Sequence, residues 1–349
     1  MTLSSALQIG RSGILASQTA LEVAGNNLAN INTPGYHRQT VSLSTANGDQ
    51  ISRYITLGQG VTVESITRNI SEALEARIRS AISNGSSSKT EVDVLNQLEA
   101  LENEFTDVDL STNLSEFFDA WSELANTPDD PSKRTLVIQQ GDKLSSFVQD
   151  LRSNMIDLRD QVDEQLQASV DSANDILNSL ATINMQIARV DGGTGSANDL
   201  RDERDRLLAD LSQYMNISTV EQNDGKIDVF VGSIPLILNG TNRGIELEKN
   251  EAGDDIEMQL VLGSDGSPLL AQSGTIKGFI DAREEHVNGA IDELDAFANT
   301  LIYEVNKLHT QGQGTEGFTS VTGTQQFADS SAVLNSGEAF LPFEIEHGS

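Results

Sequence analysis

The first patterned segment of the chain ends in the stretch NNLANINTPGY, residues Asn26–Tyr36. Ahead of it and into it, apolar or small residues recur at alternating gaps of four and three, at Leu3, Leu7, Gly10, Ile14, Ser17, Leu21, Ala24, Leu28 and Ile31. This spacing is the heptad seam of a helix that lies along another helix. Pro34-Gly35 disfavours further helix, so we expect the helix to end before it.

The composition excludes several classes of protein. Of 349 residues, 22 are Lys or Arg and 53 are Asp or Glu, which gives a formal net charge of −31. Such a surface repels a phosphate backbone, so we expect no nucleic-acid partner. Cysteine is absent, which excludes disulfides and thiolate chemistry. No apolar run approaches the roughly 20 residues that span a bilayer, and the N-terminus lacks a signal-peptide pattern, so we expect no membrane insertion and no cleaved signal.

Changes of periodicity predict a mainly α fold with an inserted small β domain, in which a long antiparallel helical bundle or coiled coil forms the core. We expect an amphipathic N-terminal assembly helix and motif in residues 1–36, an extended connecting segment in 37–70, a long helical bundle in 71–215, a small antiparallel β domain in 216–272, a return helix of the bundle in 273–310, and a Gly/Ser/Thr-rich start of a further region in 311–349.

The helical regions carry three more specific expectations. The longest helix is predicted over 144–190, because every seventh residue from Val148 to Val190 fits one seam. At ~1.5 Å per residue this helix would be about 70 Å long. A helix of that length would need antiparallel partners, which we expect from 71–105 and 275–309. Gly85–Ser88 predicts a soft interruption in the first partner. Asn113-Leu114-Ser115-Glu116 resembles a capping box, which predicts a helix start at Asn113.

Catalytic and metal-binding patterns are missing from the sequence. His37, His286, His309 and His347 are far apart and never occur at helical metal-site spacing. No nucleophile elbow or phosphate-binding loop occurs, and Gly58-Gln59-Gly60 is too short for a dinucleotide fingerprint. The charged stretch Asp199–Leu208 is predicted to be a solvated helix face with ion pairs four residues apart. We therefore expect no enzyme, no cofactor and no metal.

The stretch Asn26–Gln39, NNLANINTPGYHRQ, resembles the N-terminal signature of the flagellar axial proteins, which comprise rod, hook and hook-associated proteins. Three later stretches, Leu114–Arg134, Asp199–Leu211 and Gly274–His309, are similar to the FlgK family of hook-associated proteins. The likeness covers roughly residues 1–325 in order.

The resemblance implies a structural role in the bacterial flagellum. A member of the family forms the hook-filament junction as a ring of identical subunits, with the hook protein below and a second junction protein or the filament above. It is secreted through the flagellar type III export apparatus without a cleaved signal and is extracellular. An export chaperone binds a C-terminal region, and the family's C-terminal helix pairs with the N-terminal one; nothing in 310–349 fits that helix.

The proposed subunit-assembly residues belong to the seam and to the motif that follows it. They are Leu3, Leu7, Ile14, Leu21, Leu28, Ile31, Asn26, Asn27, Asn30, Asn32, Pro34, Gly35 and Tyr36. Since a single amphipathic helix has nothing to bury in water, we expect it to become ordered only on joining its neighbours. The polar residues are expected to hydrogen-bond between subunits, and Pro34-Gly35 to turn the chain outward.

Two other roles remain open at this level. One is a hook or rod subunit of the same superfamily. The other is a secreted coiled-coil scaffold or adhesin, for which the strands of 216–272 would form the binding head.

Overall fold

The computed structural model describes residues 3–46, 49–52, 55–102, 109–191, 197–252 and 255–311. It confirms a mainly helical chain with small antiparallel sheets. The helices are α1 (Leu3–Ala29), α2 (Glu72–Glu102), α3 (Leu110–Asn126), α4 (Pro131–Asp191), α5 (Asn198–Tyr214), α6 (Thr275–Asp281), a π-helix (Ala282–Val287) and α7 (Asn288–Thr310). The strands are β1 (Gln39–Thr45), β2 (Asp49–Ser52), β3 (Ile55–Leu57), β4 (Val61–Arg68), β5 (Ser218–Glu221), β6 (Ile227–Val231), β7 (Ile234–Leu238), β8 (Thr241–Asn242), β9 (Ile245–Ala252) and β10 (Asp255–Leu262).

The chain forms two compact units. The first comprises Met1–Asp93 and Val162–Ala282, and the second comprises Val94–Gln161 and Arg283–Ser349. None of the helices in the described ranges is long and apolar enough to cross a membrane. The predicted Gly/Ser/Thr-rich region falls almost wholly on residues 312–349, which lie outside the described residues.

All strands of the first unit pair with antiparallel neighbours. β1 pairs antiparallel with β4, and β2 with β3. β5-β6-β7-β8 form one antiparallel sheet, and β9 pairs with β10. The turn between β5 and β6 contains Asn223-Asp224-Gly225, in which Gly225 has a φ of 82°, as a tight hairpin turn requires.

Asparagines on helix α4 hold two of these strands. The Asn184 amide donates to Ile227 O (2.7 Å) and accepts from Ile227 N (3.1 Å). Asn174 makes the same pair of bonds with Ile245, at 2.8 and 3.0 Å. The backbone groups of a helix are already hydrogen-bonded within the helix. A side-chain amide, which carries both a donor and an acceptor, can instead bond to the N–H and C=O of a strand residue. Asn184 is fully buried, and its position fixes where β6 lies on α4.

Helix α2 continues through Gly85–Ser88, where we predicted an interruption. Small residues at this level let α6 come close: a Cβ on Gly278 would lie 2.7 Å from Ser87 O and 2.9 Å from Thr90 Cβ. Ser83 and Ser273 share a buried hydrogen bond of 2.7 Å beside this contact. Ser87 of this stretch therefore takes part in close helix packing, whereas a Cβ on Gly85 would meet nothing within 4 Å.

In the second unit, two helices begin earlier than predicted. Asp109, and not Asn113, caps α3, because its carboxylate accepts from Thr112 N at 2.6 Å. This hydrogen bond holds the pKa of Asp109 below its ordinary value. Helix α4 begins at Pro131, well before residue 144: proline suits the first helical position, and Asp130 accepts from Ser132 N.

The return segment also differs from the single helix predicted over 273–310. It consists of α6, the π-helix and α7. Within the second unit, α4 and α7 are joined by a two-bond ion pair: Arg152 donates to both carboxylate oxygens of Asp295, at 2.7 and 3.0 Å.

Candidate assembly surface

One face of helix α1 exposes a row of large apolar side chains. Leu7 is 67% exposed, Ile14 71%, Leu21 74% and Leu28 72%, and Ile31 just beyond the helix is 73% exposed. An open groove on this face is lined by Ala6, Leu7, Gly10, Arg11, Ile14 and Leu15. The side chain of Leu3 lies outside the described residues. The predicted seam is therefore unpartnered within the described parts of the chain.

The opposite face of α1 packs on the β1–β4 hairpin. Ala16 and Val23 are buried there, at 3% and 7% exposure. The Ser12 hydroxyl accepts from Val61 N at 3.2 Å. Gly60 has a φ of 99°, and a Cβ on it would lie 2.1 Å from the Ser12 hydroxyl, so only glycine fits. The expectation that α1 has nothing to bury before assembly is wrong, because the helix has a second face that docks inside its own subunit.

Asn27 ties the end of α1 to the start of β1. Its Oδ1 accepts from Gln39 N (2.8 Å) and from the Tyr36 hydroxyl (2.9 Å), and its Nδ2 donates to Gln39 O (2.9 Å). Burial, followed by the nearby Asp199 and Asp202 carboxylates, raises the pKa of Tyr36, so its hydroxyl keeps the proton it donates. We predicted that Asn27 bonds between subunits; the structure commits its amide to bonds within the subunit.

Of the remaining predicted motif residues, some hydrogen-bond within the motif and others are exposed to solvent. Asn30 donates to Asn26 O at 3.0 Å and accepts from the Thr33 hydroxyl at 3.2 Å. Gly35 has a φ of 78°, which fits the predicted turn. The exposed members of the motif are Asn26, Asn32, Pro34 and Gly35. These exposed groups lie at the end of the apolar row, where a second subunit has access to them.

Helix α5 holds the base of the β1–β4 hairpin through a buried charge cluster. Nη1 of Arg68 lies 2.7 Å from Asp202 Oδ1 and 2.6 Å from Asp205 Oδ2. The Arg68 side chain is 7% exposed, and both carboxylates are 11% exposed. His37 adds two bonds to Asp202, from its backbone N–H (3.2 Å) and at its ring Nδ1 (2.8 Å). We call Arg68, Asp202, Asp205 and His37 the α5 anchor.

The solvated charged face predicted for Asp199–Leu208 is wrong. Asp202 and Arg204 are buried, and Arg204 donates to Gly225 O at 3.0 Å. Burial lowers the pKa of Arg204 from its ordinary value. Glu203 and Arg206 form an exposed ion pair at 2.5 Å, but they are three residues apart and not four. Sequence reasoning missed these residues because their partners are remote in sequence and carry no shared spacing.

The α5 anchor also contains a ligand set of metal-site type. One ligand atom each from His37, Asp202 and Asp205 lies within 4.8 Å of the others. The Arg68 guanidinium, however, bonds to both carboxylates in that space and supplies the cation they need. Its charge and the two short hydrogen bonds oppose a metal ion at the same point. The cluster is therefore an ion-pair network.

Replacing Asn27 with alanine is expected to loosen α1 without unfolding the rest of the first unit. The change leaves the Gln39 backbone groups and the Tyr36 hydroxyl without partners, at a cost of about 1–3 kcal/mol. Hydrogen exchange of the α1 amides measures the effect, and Asn26→Ala, at an exposed neighbour, is the matched control. Equal α1 protection in the two variants would contradict the role of the Asn27 bonds.

Comparison with known proteins finds flagellar proteins that match most of the chain. Residues 95–327 match the family model described as the flagellar hook-associated protein FlgK helical domain. Residues 7–37 match the model described as the flagella basal body rod protein. The second match covers α1 and its motif.

Similar proteins of known name agree with these matches. Flagellar hook-associated protein 1 of Escherichia coli is 26% identical over 325 residues, which cover 90% of this chain and 59% of that protein. Its namesake in Bacillus subtilis is 26% identical over 343 residues, which cover 88% of this chain and 67% of that protein. The chain thus spans about three fifths of the length of the Escherichia coli protein.

A solved structure shares the fold. The flagellar hook junction protein FlgK from Burkholderia pseudomallei superimposes with a TM-score of 0.59 at 24% identity, over 66% of this chain and 43% of that chain.

Proposed function

We propose that this chain, which belongs to the flagellar hook-associated protein FlgK family, is a non-catalytic structural subunit of the hook-filament junction and is needed for filament assembly. Its place is outside the cell, in the flagellum, after type III export without a cleaved signal. Its partners are identical subunits in a ring, the hook protein on one side, a second junction protein or the filament on the other, and an export chaperone that binds a C-terminal region.

The observation that carries this proposal is the apolar row on a docked helix. Leu7, Ile14, Leu21 and Leu28 are each at least two-thirds exposed, on a helix whose other face is already packed. Burying one such side chain stabilises by about 1.5–3 kcal/mol. A contiguous exposed apolar row on a water-soluble surface marks a protein–protein contact. The occupants we propose are neighbouring subunits and a C-terminal helix of the kind the family carries.

We propose that residues 1–36 act as one assembly unit and that the bundle and β domain carry it. The docked face fixes α1 on its own subunit through Ser12 and Asn27. The free face is left for partners, and the exposed Asn26, Asn32 and Pro34 border it. This arrangement prepares the helix for assembly, so little ordering entropy remains to oppose the joining of subunits.

The double change Ile14→Asp and Leu21→Asp tests the proposal. Both residues are exposed, so the free subunit is expected to keep its fold and its circular dichroism. In an assembled interface each buried carboxylate would cost several kcal/mol, so the variant is expected to restore few or no filaments to a strain that lacks hook-associated protein 1. Electron microscopy then shows hooks without filaments.

The matched control is Leu270→Asp, which places the same charge at an apolar residue that is 78% exposed and outside α1. It is expected to restore filaments as the unchanged chain does. The proposal is wrong if the double variant also restores them.

The alternative is a rod or hook subunit of the same superfamily. The match of residues 7–37 to the rod-protein model favours it, because that model covers the assembly helix itself. The two roles differ in which defect the chain corrects. A junction subunit restores filaments to strains that already have hooks, whereas a rod or hook subunit restores hooks to strains that lack them.

A further inference from the structure

Helix α2 exposes a second apolar row, on the face opposite its buried side chains. Apolar or small residues recur on this face at alternating gaps of four and three, at Leu74, Ile78, Ala81, Gly85, Ser88 and Val92. Leu74 and Val92 are each 53% exposed, Ile78 is 41% exposed, and the three small residues between them are exposed as well. This spacing is the seam of a helix pair, and the described parts of the chain contain no helix that covers it.

Charged residues flank the α2 row on both sides. Arg77 and Glu91 lie fourteen residues apart on one side, and Glu75 and Lys89 lie fourteen residues apart on the other. Residues at this separation share one position of the heptad repeat. Arg77 and Lys89 are exposed, and Glu75 and Glu91 are partly exposed. Each side of the row therefore carries one charge near its start and the opposite charge near its end.

Two copies of α2 are complementary when they lie antiparallel. In one register Arg77 faces Glu91 of the second copy, and Glu75 faces Lys89 of the second copy, so both sides join opposite charges.

The same register suits the apolar row itself. It places Leu74 against Val92, Ile78 against Ser88 and Ala81 against Gly85. The small residues at the centre allow the two helices to approach closely. A parallel pairing would instead place each residue level with its own copy, and neither side would join opposite charges.

We propose that the exposed row of α2 docks on α2 of a second copy of this chain, and that the two helices pair antiparallel about a two-fold axis in the free protein. A contact of this kind closes at two copies, whereas a ring of identical subunits joins two different surfaces. The α2 contact is therefore separate from the apolar row on α1 and does not rest on the proposed function.

Sedimentation equilibrium of the full chain tests the proposal, in a background of Ile14→Asp and Leu21→Asp so that the α1 row takes no part. A contact between two short helix segments belongs to the small class of interfaces, so we expect a monomer–dimer equilibrium with a Kd between about 1 μM and 1 mM. Ile78→Asp places a carboxylate within the row and is expected to weaken the dimer by about tenfold or more. Leu270→Asp adds the same charge at an exposed apolar residue outside α2 and is expected to leave the dimer unchanged.

Exchange of charges tests the antiparallel direction. Arg77→Glu alone, and Glu91→Arg alone, would bring like charges together at both ends of the contact, so each variant is expected to dimerise about tenfold more weakly. An equal mixture of the two variants is expected to recover the dimer, because every antiparallel pair then joins opposite charges. Circular dichroism of each variant checks that the fold is kept.

Three results would overturn the inference. They are a chain that sediments as a monomer throughout this concentration range, a dimer that Ile78→Asp leaves intact, and a mixture of the two charge variants that dimerises no better than either one alone.

Discussion

Replacing Arg68 with alanine is expected to lower the free energy of unfolding of the first unit by about 3–5 kcal/mol. One guanidinium nitrogen bonds to Asp202 and Asp205, at 2.7 and 2.6 Å, and its removal leaves two carboxylates that are each only 11% exposed. Breaking a buried pair by removing one partner is strongly destabilising, because the two carboxylates lose their shared guanidinium while they have little access to water. Hydrogen exchange at Val229, in the fully buried middle of β6, measures the loss.

The matched control is Arg206→Ala on α5. Arg206 is 55% exposed and pairs with Glu203, which is 39% exposed, so its loss is expected to cost less than about 1 kcal/mol. If Arg68→Ala cost no more than Arg206→Ala, the α5 anchor would have to be solvated, contrary to its burial.

Local periodicity predicted most of the fold, because helices and hairpins are decided by near neighbours in the chain. The seam of α1 is an example, since Leu7, Ile14 and Leu21 lie on one face of the helix as their spacing predicted. Helix α4 shows where the pattern misled. The residues at seven-residue spacing from Val148 onward rotate gradually away from the buried face of α4. Val190 is therefore 61% exposed, while Leu180 and Ile187 are fully buried. A straight helix has 3.6 residues per turn, and a seven-residue row rotates by about 20° each repeat.

The α5 anchor could not be predicted from the same reasoning. An Arg-Asp-Glu-Arg run on a helix is solvated unless partners from elsewhere cover it. Here they come from His37 and Arg68, more than 130 positions earlier in the chain. The bonds of Asn27 within its own subunit could not be predicted for a related reason. An asparagine near a helix end is expected to cap the helix or to face solvent, and only the tertiary fold places Gln39 beside it.

Replacing Gly274 with alanine is expected to destabilise the first unit by about 3–5 kcal/mol, for two reasons that add. Gly274 has φ 103° and ψ 168°, a backbone region that residues with a Cβ avoid. An added Cβ would also lie 2.4 Å from Tyr214 O and 2.5 Å from Met215 N, and backbone atoms cannot swing aside as a flexible side chain can. Urea unfolding followed by circular dichroism measures the loss.

Gly266→Ala separates the two causes. Gly266 also has a positive φ, 70°, but a Cβ there would meet nothing within 4 Å, so its change is expected to cost only about 1–2 kcal/mol. The additional loss of stability in Gly274→Ala then measures the steric overlap with the end of α5. Gly274 N–H donates to Ser83 O at 3.0 Å, so relief of the overlap by a backbone shift would break its bond to α2. Equal losses in the two variants would mean that the end of α5 moves aside freely, and that α2, α5 and α6 are not packed through this glycine.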